Sequence, residues 1–266
     1  MRRLPWLGIG LLLLMALAAA LGPELWSQDA YRQNYARLYA APSPENPLGT
    51  DNLGRDVLAR VLLGGRISLG IALAATLGAL ALGLVGGLVS GGRGSVADLV
   101  LTRLSDALLA FPGFLLVLLV VVILGNGALQ TIAALAISGT PLFFRLTRGY
   151  ARSILATEYV TAAAALGATR ARILPRHVLP NLFGPLLVQA ASVCAAFLLV
   201  EASLSFLGLG VAPPTPTWGN VLQDARAMLT RQPWAALGPG LVLGITALGL
   251  QLVSDGLRDR FDPRAR

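Results

Sequence analysis

Residues 67–89 read ISLGIALAATLGALALGLVGGLV, without a single charged side chain. A helix at the surface of a water-soluble protein keeps one polar face. This run has none. A bilayer core of roughly 30 Å is spanned by about 17–25 such residues, so the stretch is long enough to cross. Five more apolar runs lie at 7–21, 108–124, 129–146, 186–207 and 235–253. Inside lipid every backbone polar group must be satisfied within the chain. The expected fold is therefore an all-α integral membrane protein with about six transmembrane helices.

Composition agrees. Of 266 residues, 55% are hydrophobic and 13% charged, with mean hydropathy +0.70; soluble domains carry about 25% charge. All 21 basic residues are Arg, and the net charge is +8. The Arg residues lie between the apolar runs and form no patch interleaved with aromatics, so they point to membrane orientation and not to nucleic acid. A standard phosphate-cradling loop needs a Lys; with none in the chain, any ATP must be held by a partner. Cys194 and His177 are each the only residue of their type. They supply no disulfide and no Cys/His metal cluster. No nucleophile–base pair stands out, so neither enzyme nor cofactor is expected.

The chain opens with Arg2 and Arg3 before an apolar run ending ALAAALG. That pattern fits a cleavable leader or a retained first span; the retained span is the expectation. With six spans and the N-terminus inside, 14 Arg fall on the cytoplasmic side and 7 outside, which places both termini in the cytoplasm. The chain divides into residues 1–65, a first span with an outside segment, and 66–266. The latter is a core of five spans with a loop at 158–181 and a cytoplasmic tail. In the outside segment, PSPENPLGTDNLGRDVLARVLLGGR (42–66) begins with turn formers. Val57, Leu58, Val61 and Leu62 then fall at helical spacing, as in an amphipathic helix lying on the membrane surface. Trp218 and Trp234, in a second outside segment at 208–234, suit an interfacial position. Gly83, Gly87 and Gly91 permit close helix approach, either within the chain, the preferred reading, or at a dimer seam.

The loop reads EYVTAAAALGATRARILPRHVLPN, 158–181. Its Ala-rich start favours a helix over 158–166. Gly167 follows where a left-handed residue often ends a helix. Thr169 is placed to cap a second short helix, which Pro180 would end. Arg170, Arg172 and Arg176 offer charge to partner carboxylates or lipid phosphates. On residues alone, an ordinary basic loop is an equal alternative.

This loop resembles the EAA loop of permeases from binding-protein-dependent ATP-binding-cassette importers: EAA, three residues, Gly, nine residues, then I-x-L-P. Ala162, Ala163, Gly167, Leu179 and Pro180 are in register; Thr161 replaces the Glu and His177 the Ile. His-x-Leu-Pro-Asn at 177–181 is similar to the dipeptide/oligopeptide/nickel branch. PLGTDNLGRDVLARVLLGGRISL (47–69) is similar to that branch's C-type subunits, with Asn46 where a His usually stands. EASLSFLGLGVAPPTPTWGNVL (201–222) is also similar. The resemblance covers roughly 46–263. It implies a pore-forming inner-membrane subunit importing peptides or similar small solutes. The implied partners are a second permease subunit, two ATPase subunits and a periplasmic or lipid-anchored solute-binding protein, all in membrane lipid. Ala162, Ala163, Gly167 and Ala168 would be the coupling positions, with Arg170, Arg172, Arg176 and Pro180 beside them.

Other residues carry smaller expectations. Glu201 is an acid in an apolar run, a pore or interface candidate; bonding to Ser203, Ser205 or a neighbouring subunit at the outer interface is the preferred reading. Arg103 and Asp106 have the spacing of an i,i+3 pair. His177 reads as structural and Cys194 as packing. An ion-coupled secondary transporter is the main competing class, but such proteins usually show internal repeats and polar mid-span residues, and this chain shows no clear repeat and few buried charges. A membrane scaffold and a membrane enzyme rank below it.

Overall fold

A computed structural model describes residues 4–91, 96–230 and 232–261. Arg2, Arg3, Arg93, Arg231, Arg264 and Arg266 of the orientation count lie outside them. The helices are α1 Leu4–Leu25, α2 Val57–Ser90, α3 Val96–Leu109, α4 Gly113–Leu124, α5 Ala128–Leu155, α6 Glu158–Ala165, α7 Arg170–Ile173, α8 Leu179–Phe206, α9 Trp218–Ala225 and α10 Trp234–Phe261. Five helical stretches, built on α1, α2, α5, α7 with α8, and α10, are long and apolar enough to cross a membrane.

The sixth crossing is broken. The run at 108–124 reads as one span, but α3 and α4 meet at 97°. Pro112 causes the break: it pushes the residue before it out of helical geometry, and its own ψ of 126° is extended. Alone, α4 has 12 residues, about 18 Å of helix.

α2 runs the other way from expectation. It has 34 residues, about 51 Å of helix, and passes unbroken through residues 65–66. No separate surface helix forms after Asp56. The apolar positions Val57 and Val61 are buried in the bundle instead. Asp56 caps α2, its Oδ1 accepting from Ala59 N at 2.6 Å and from Trp26 Nε1 at 3.2 Å. Its Oδ2 accepts from Asn46 Nδ2 at 2.7 Å. Those bonds hold the outside segment on the helix start.

The glycine stripe packs within the chain. A Cβ at Gly83 would collide with Phe143 Cβ and come within 2.7 Å of Phe144 N; at Gly87 it would lie 2.5 Å from Thr147 Cβ, and at Gly91 3.0 Å from Ala151 Cβ. α2 and α5 therefore touch almost backbone to backbone. α1 is built into the same bundle: Gly8 sits against Leu252 and Gly249 of α10, and Gly22 against Leu62. Arg66 donates to the Ala20 carbonyl at 2.6 Å. At the loop end, Gly184 of α8 packs on Phe261 of α10. The start of α1, the end of α10 and residues 158–181 thus share one end of the bundle.

The other end is closed by α9. Trp218 is not an interfacial residue but a core one, 1% exposed. Its Nε1 donates to the Val61 carbonyl at 2.9 Å and its backbone N to Ser68 Oγ at 3.2 Å. Small residues make the room: Gly64 and Gly65 lie under it. Trp234 is half-buried against Gly49. A buried ion network locks α9 to the outside segment. Arg55 reaches Asp51 at 2.7 Å and Asp224 at 2.9 Å; Arg60 reaches the same two at 3.3 and 3.1 Å. Burial pushes the Asp224 carboxyl up from its ordinary value, against the pull of Arg60 and Arg55.

Two outcomes follow. Gly87→Leu should lower the thermal midpoint of the detergent-solubilised protein by several degrees or block assembly, since overpacking costs about 1–3 kcal/mol. Gly70→Ala, whose Cβ meets nothing within 4 Å, should leave that midpoint unchanged or raise it. Asp51→Ala should destabilise by about 3–5 kcal/mol, as breaking a buried ion pair does. Glu45→Ala, which breaks the exposed pair with Arg37, should cost about 0–1 kcal/mol. Protease sensitivity of the outside segment reads both.

Candidate functional site

α5 leads into the 158–181 loop through a two-residue turn. Ile154, Val160, Ile173 and Val178 form its buried underside. The opposite face is open: Tyr159, Ala162, Arg170, Arg172 and Arg176 are exposed, and Leu166 is 90% exposed. α6 holds on by little more than Val160, with Ala163 half-buried. An eight-residue helix is marginal without packing, and α6 has little of it within this chain.

Gly167 ends α6 in a complete Schellman arrangement. Its φ is +87°; its N–H donates to the Ala164 carbonyl, and Ala168 N–H to the Ala163 carbonyl, both at 3.0 Å. That is the 5→2 and 6→1 pairing of this cap. A Cβ on Gly167 would meet nothing within 4 Å. The glycine is therefore required by backbone conformation, not by crowding inside the chain. Ala162, Ala163 and Ala168 surround the turn; Ala168 leans on the core and Ala162 faces out. Thr161, in the place of the expected Glu, turns its hydroxyl back to the Thr157 carbonyl at 3.0 Å.

Thr169 has the extended geometry of an N-cap, φ −74° and ψ 158°, but its side chain makes no capping bond. Pro180 does not end the second helix. α7 passes through a π-turn at Leu174–Val178 directly into α8, where Pro180 occupies the first turn. The wider turn makes room for Pro175 and Pro180, which lack the donor and carry a bulky ring. Asn181 Nδ2 then donates to the His177 carbonyl at 2.7 Å. The His177 ring packs edge-on to Tyr159, centroids 5.8 Å apart, and ties the two arms of the loop together. The loop is thus continuous with two long helices, α5 and α8. Arg170, Arg172 and Arg176 form no ion pair among the described residues and stand on the open side.

Glu201 lies far from this loop, near the α9 end of α8. It is fully buried. Its Oε1 accepts from Ser205 Oγ at 2.8 Å, with Ser68 of α2 and the α9 cap Thr217 beside it. Ser203 bonds to the Leu199 carbonyl instead. The carboxyl thus sits where α2, α8 and α9 meet. Arg103 and Asp106 do not pair: Asp106 binds Arg145 at 2.8 Å. Sequence reading missed the buried Asp51–Arg55–Arg60–Asp224 network. Its signal was the dense alternation of Asp and Arg in 51–60.

Residues 83–266 match the family described as binding-protein-dependent transport system inner membrane component. The chain is 37% identical to a dipeptide transport system permease protein of Alkalihalophilus pseudofirmus, over 97% of this chain and 86% of that one. It is 36% identical to an oligopeptide transport system permease protein of Bacillus subtilis, covering 99% and 87%. It is 38% identical to a glutathione transport system permease protein of Pectobacterium atrosepticum, covering 97% and 86%. A solved amino acid ABC transporter with histidines shares the fold, with TM-score 0.58 at 16% identity, over 76% of this chain and 94% of that one.

Gly167→Val should melt the cap. A β-branched residue in left-handed geometry costs about 1–2 kcal/mol. Hydrogen exchange should rise across 162–169 while α2 and α5 keep their protection.

Proposed function

The chain belongs to the family of binding-protein-dependent transport system inner membrane components, and from that premise we propose how it is driven and what it carries. It is a pore-forming permease subunit of an ATP-binding-cassette importer. Residues 158–181 are the segment on which a cytoplasmic ATPase subunit acts. The observation that carries this reading is the pairing of an open face with direct continuity into two long helices. Leu166 stands clear of the chain beside the Gly167 cap, and the loop continues into α5 and α8 without a slack linker. A push on α6 is therefore transmitted to two helices. Nothing in the loop is arranged for covalent chemistry, so its output is movement between two states.

In this reading Ala162, Ala163 and Ala168 keep the docking surface low around the turn. Arg170, Arg172 and Arg176 face carboxylates of the ATPase. Pro180 and the π-turn bend the loop back onto α8. A second permease subunit completes the pore, two ATPase subunits engage one loop each, and a periplasmic or lipid-anchored binding protein delivers solute. The names of the relatives support peptides or similar small solutes as cargo. Both termini and the loop lie in the cytoplasm, as the Arg distribution supports.

The test is co-purification from gently solubilised membranes. An ATP-hydrolysing subunit should accompany the tagged wild-type chain. With Gly167→Asp it should be lost or uncoupled, with uptake abolished and the chain still in the membrane. Normal uptake in that variant, or a stable wild-type chain that never binds an ATPase, would overturn the proposal.

A further inference from the structure

α3 is amphipathic the wrong way round for water. Of its polar side chains, Asp98 and Ser105 are buried against the protein. Asp98 accepts from Ser90 Oγ, from Arg148 Nε at 2.7 Å and from Arg152. Asp106 holds Arg145, and Ser105 is buried. Its apolar side chains, Val96, Leu99, Val100 and Leu104, face out and are each more than half exposed. Arg103 stands among them, exposed and without an ion pair among the described residues. A cavity of 540 Å³ beside it is lined by Val96, Leu99, Thr102, Arg103 and Arg148, and by Asp98 and Asp106, which pair with Arg148 and Arg145.

Whatever covers this face must be apolar and carry negative charge. Among the described residues, Arg145, Arg148 and Arg152 share the two carboxylates there, Asp98 and Asp106, and Arg103 is the guanidinium left outside those pairs. The 97° bend turns α3 away from α4, across the loop-side ends of α2 and α5. With α4 along the membrane normal, α3 lies in the plane of the interface. Helices in that plane bury an apolar face at the acyl boundary and send basic groups to the phosphates. Basic pockets between helices on the cytoplasmic side bind anionic headgroups.

We propose that the outward face of α3, centred on Arg103, is a binding site for an anionic phospholipid of the inner leaflet. The acyl chains lie along Leu99, Val100 and Leu104, and Arg103 takes the phosphate. The choice of leaflet rests on the orientation given under Proposed function; the site itself does not.

The full chain, purified with its associated subunits, is incubated with equimolar phosphatidylglycerol and phosphatidylethanolamine and weighed by native mass spectrometry. Wild type should retain phosphatidylglycerol preferentially. Arg103→Gln should lose about fivefold of that preference, the factor one basic side chain contributes near an anionic surface. Arg103→Lys should keep most of it, and Arg37→Gln, at the opposite end, all of it. Unchanged preference in Arg103→Gln overturns the site. So does Leu104→Cys cross-linking to a second permease subunit in place of photoactivatable phosphatidylglycerol. Loss of the ATPase from the preparation would strike the driving mechanism alone, because lipid retention is read on this chain.

Discussion

Much of this molecule depends on the absence of side chains between α2 and α5. At Gly83, Gly87 and Gly91 the two helices approach until an added methyl group would strike the partner's Cβ or backbone. In lipid there is little hydrophobic drive for one helix to seek another, and close packing with its dispersion contacts has to supply it. The contact therefore fixes the pair as one rigid body. α5 is also the helix that ends in the exposed loop, so a closely packed part of the bundle carries that loop. α8 enters the loop from the other side and rests on α10 through Gly184 and Phe261.

Where helices stop matters as much as where they pack, because the last carbonyls of each need partners. The same device closes two of them. Gly167 after α6 and Gly208 after α8 both adopt positive φ, +87° and +78°. Around Gly208, its own N–H returns to the Ser205 carbonyl and Leu209 N–H to the Leu204 carbonyl, as around Gly167. One cap faces the loop end and the other the outside end. The segments that look most like sequence signatures, ALGA and SFLGLG, are thus read largely by backbone geometry. The outside one goes further: a Cβ on Gly219 would strike the Ala202 carbonyl, so α9 sits directly on α8 next to buried Glu201.

Periodicity and residue chemistry made much of this legible. The apolar runs gave helices because hydrocarbon leaves the backbone no other partner, and Gly167 gave a helix end because few residues tolerate left-handed geometry. Several of the misread parts turn on proline or tryptophan, which have two uses that local sequence does not choose between. Pro112 broke an apolar run that hydropathy read as continuous, whereas Pro180 was absorbed by a π-turn five residues long. Trp218 has the amphipathic shape of an interfacial residue, yet its N–H found the Val61 carbonyl inside the bundle. The start of α2 showed helical spacing, but only tertiary structure showed that its apolar face meets protein and not lipid. The buried ion network joins residues more than 160 positions apart, beyond the reach of any local pattern.

The broken α3–α4 pair is the counterpart of the rigid α2–α5 pair. Its contacts with α5 are polar at the loop end, through Asp98 and Asp106, and apolar further along, through buried Leu116, Val117 and Val121. Charge-assisted bonds are directional, whereas apolar contacts are not. α3 is thus attached at one end by a few directional bonds and set at 97° to α4 by the break at Pro112, whereas the α2–α5 pair is held by close packing at a series of glycines. The same helix, α5, takes part in both kinds of joint: close-packed on one side and ion-paired on another.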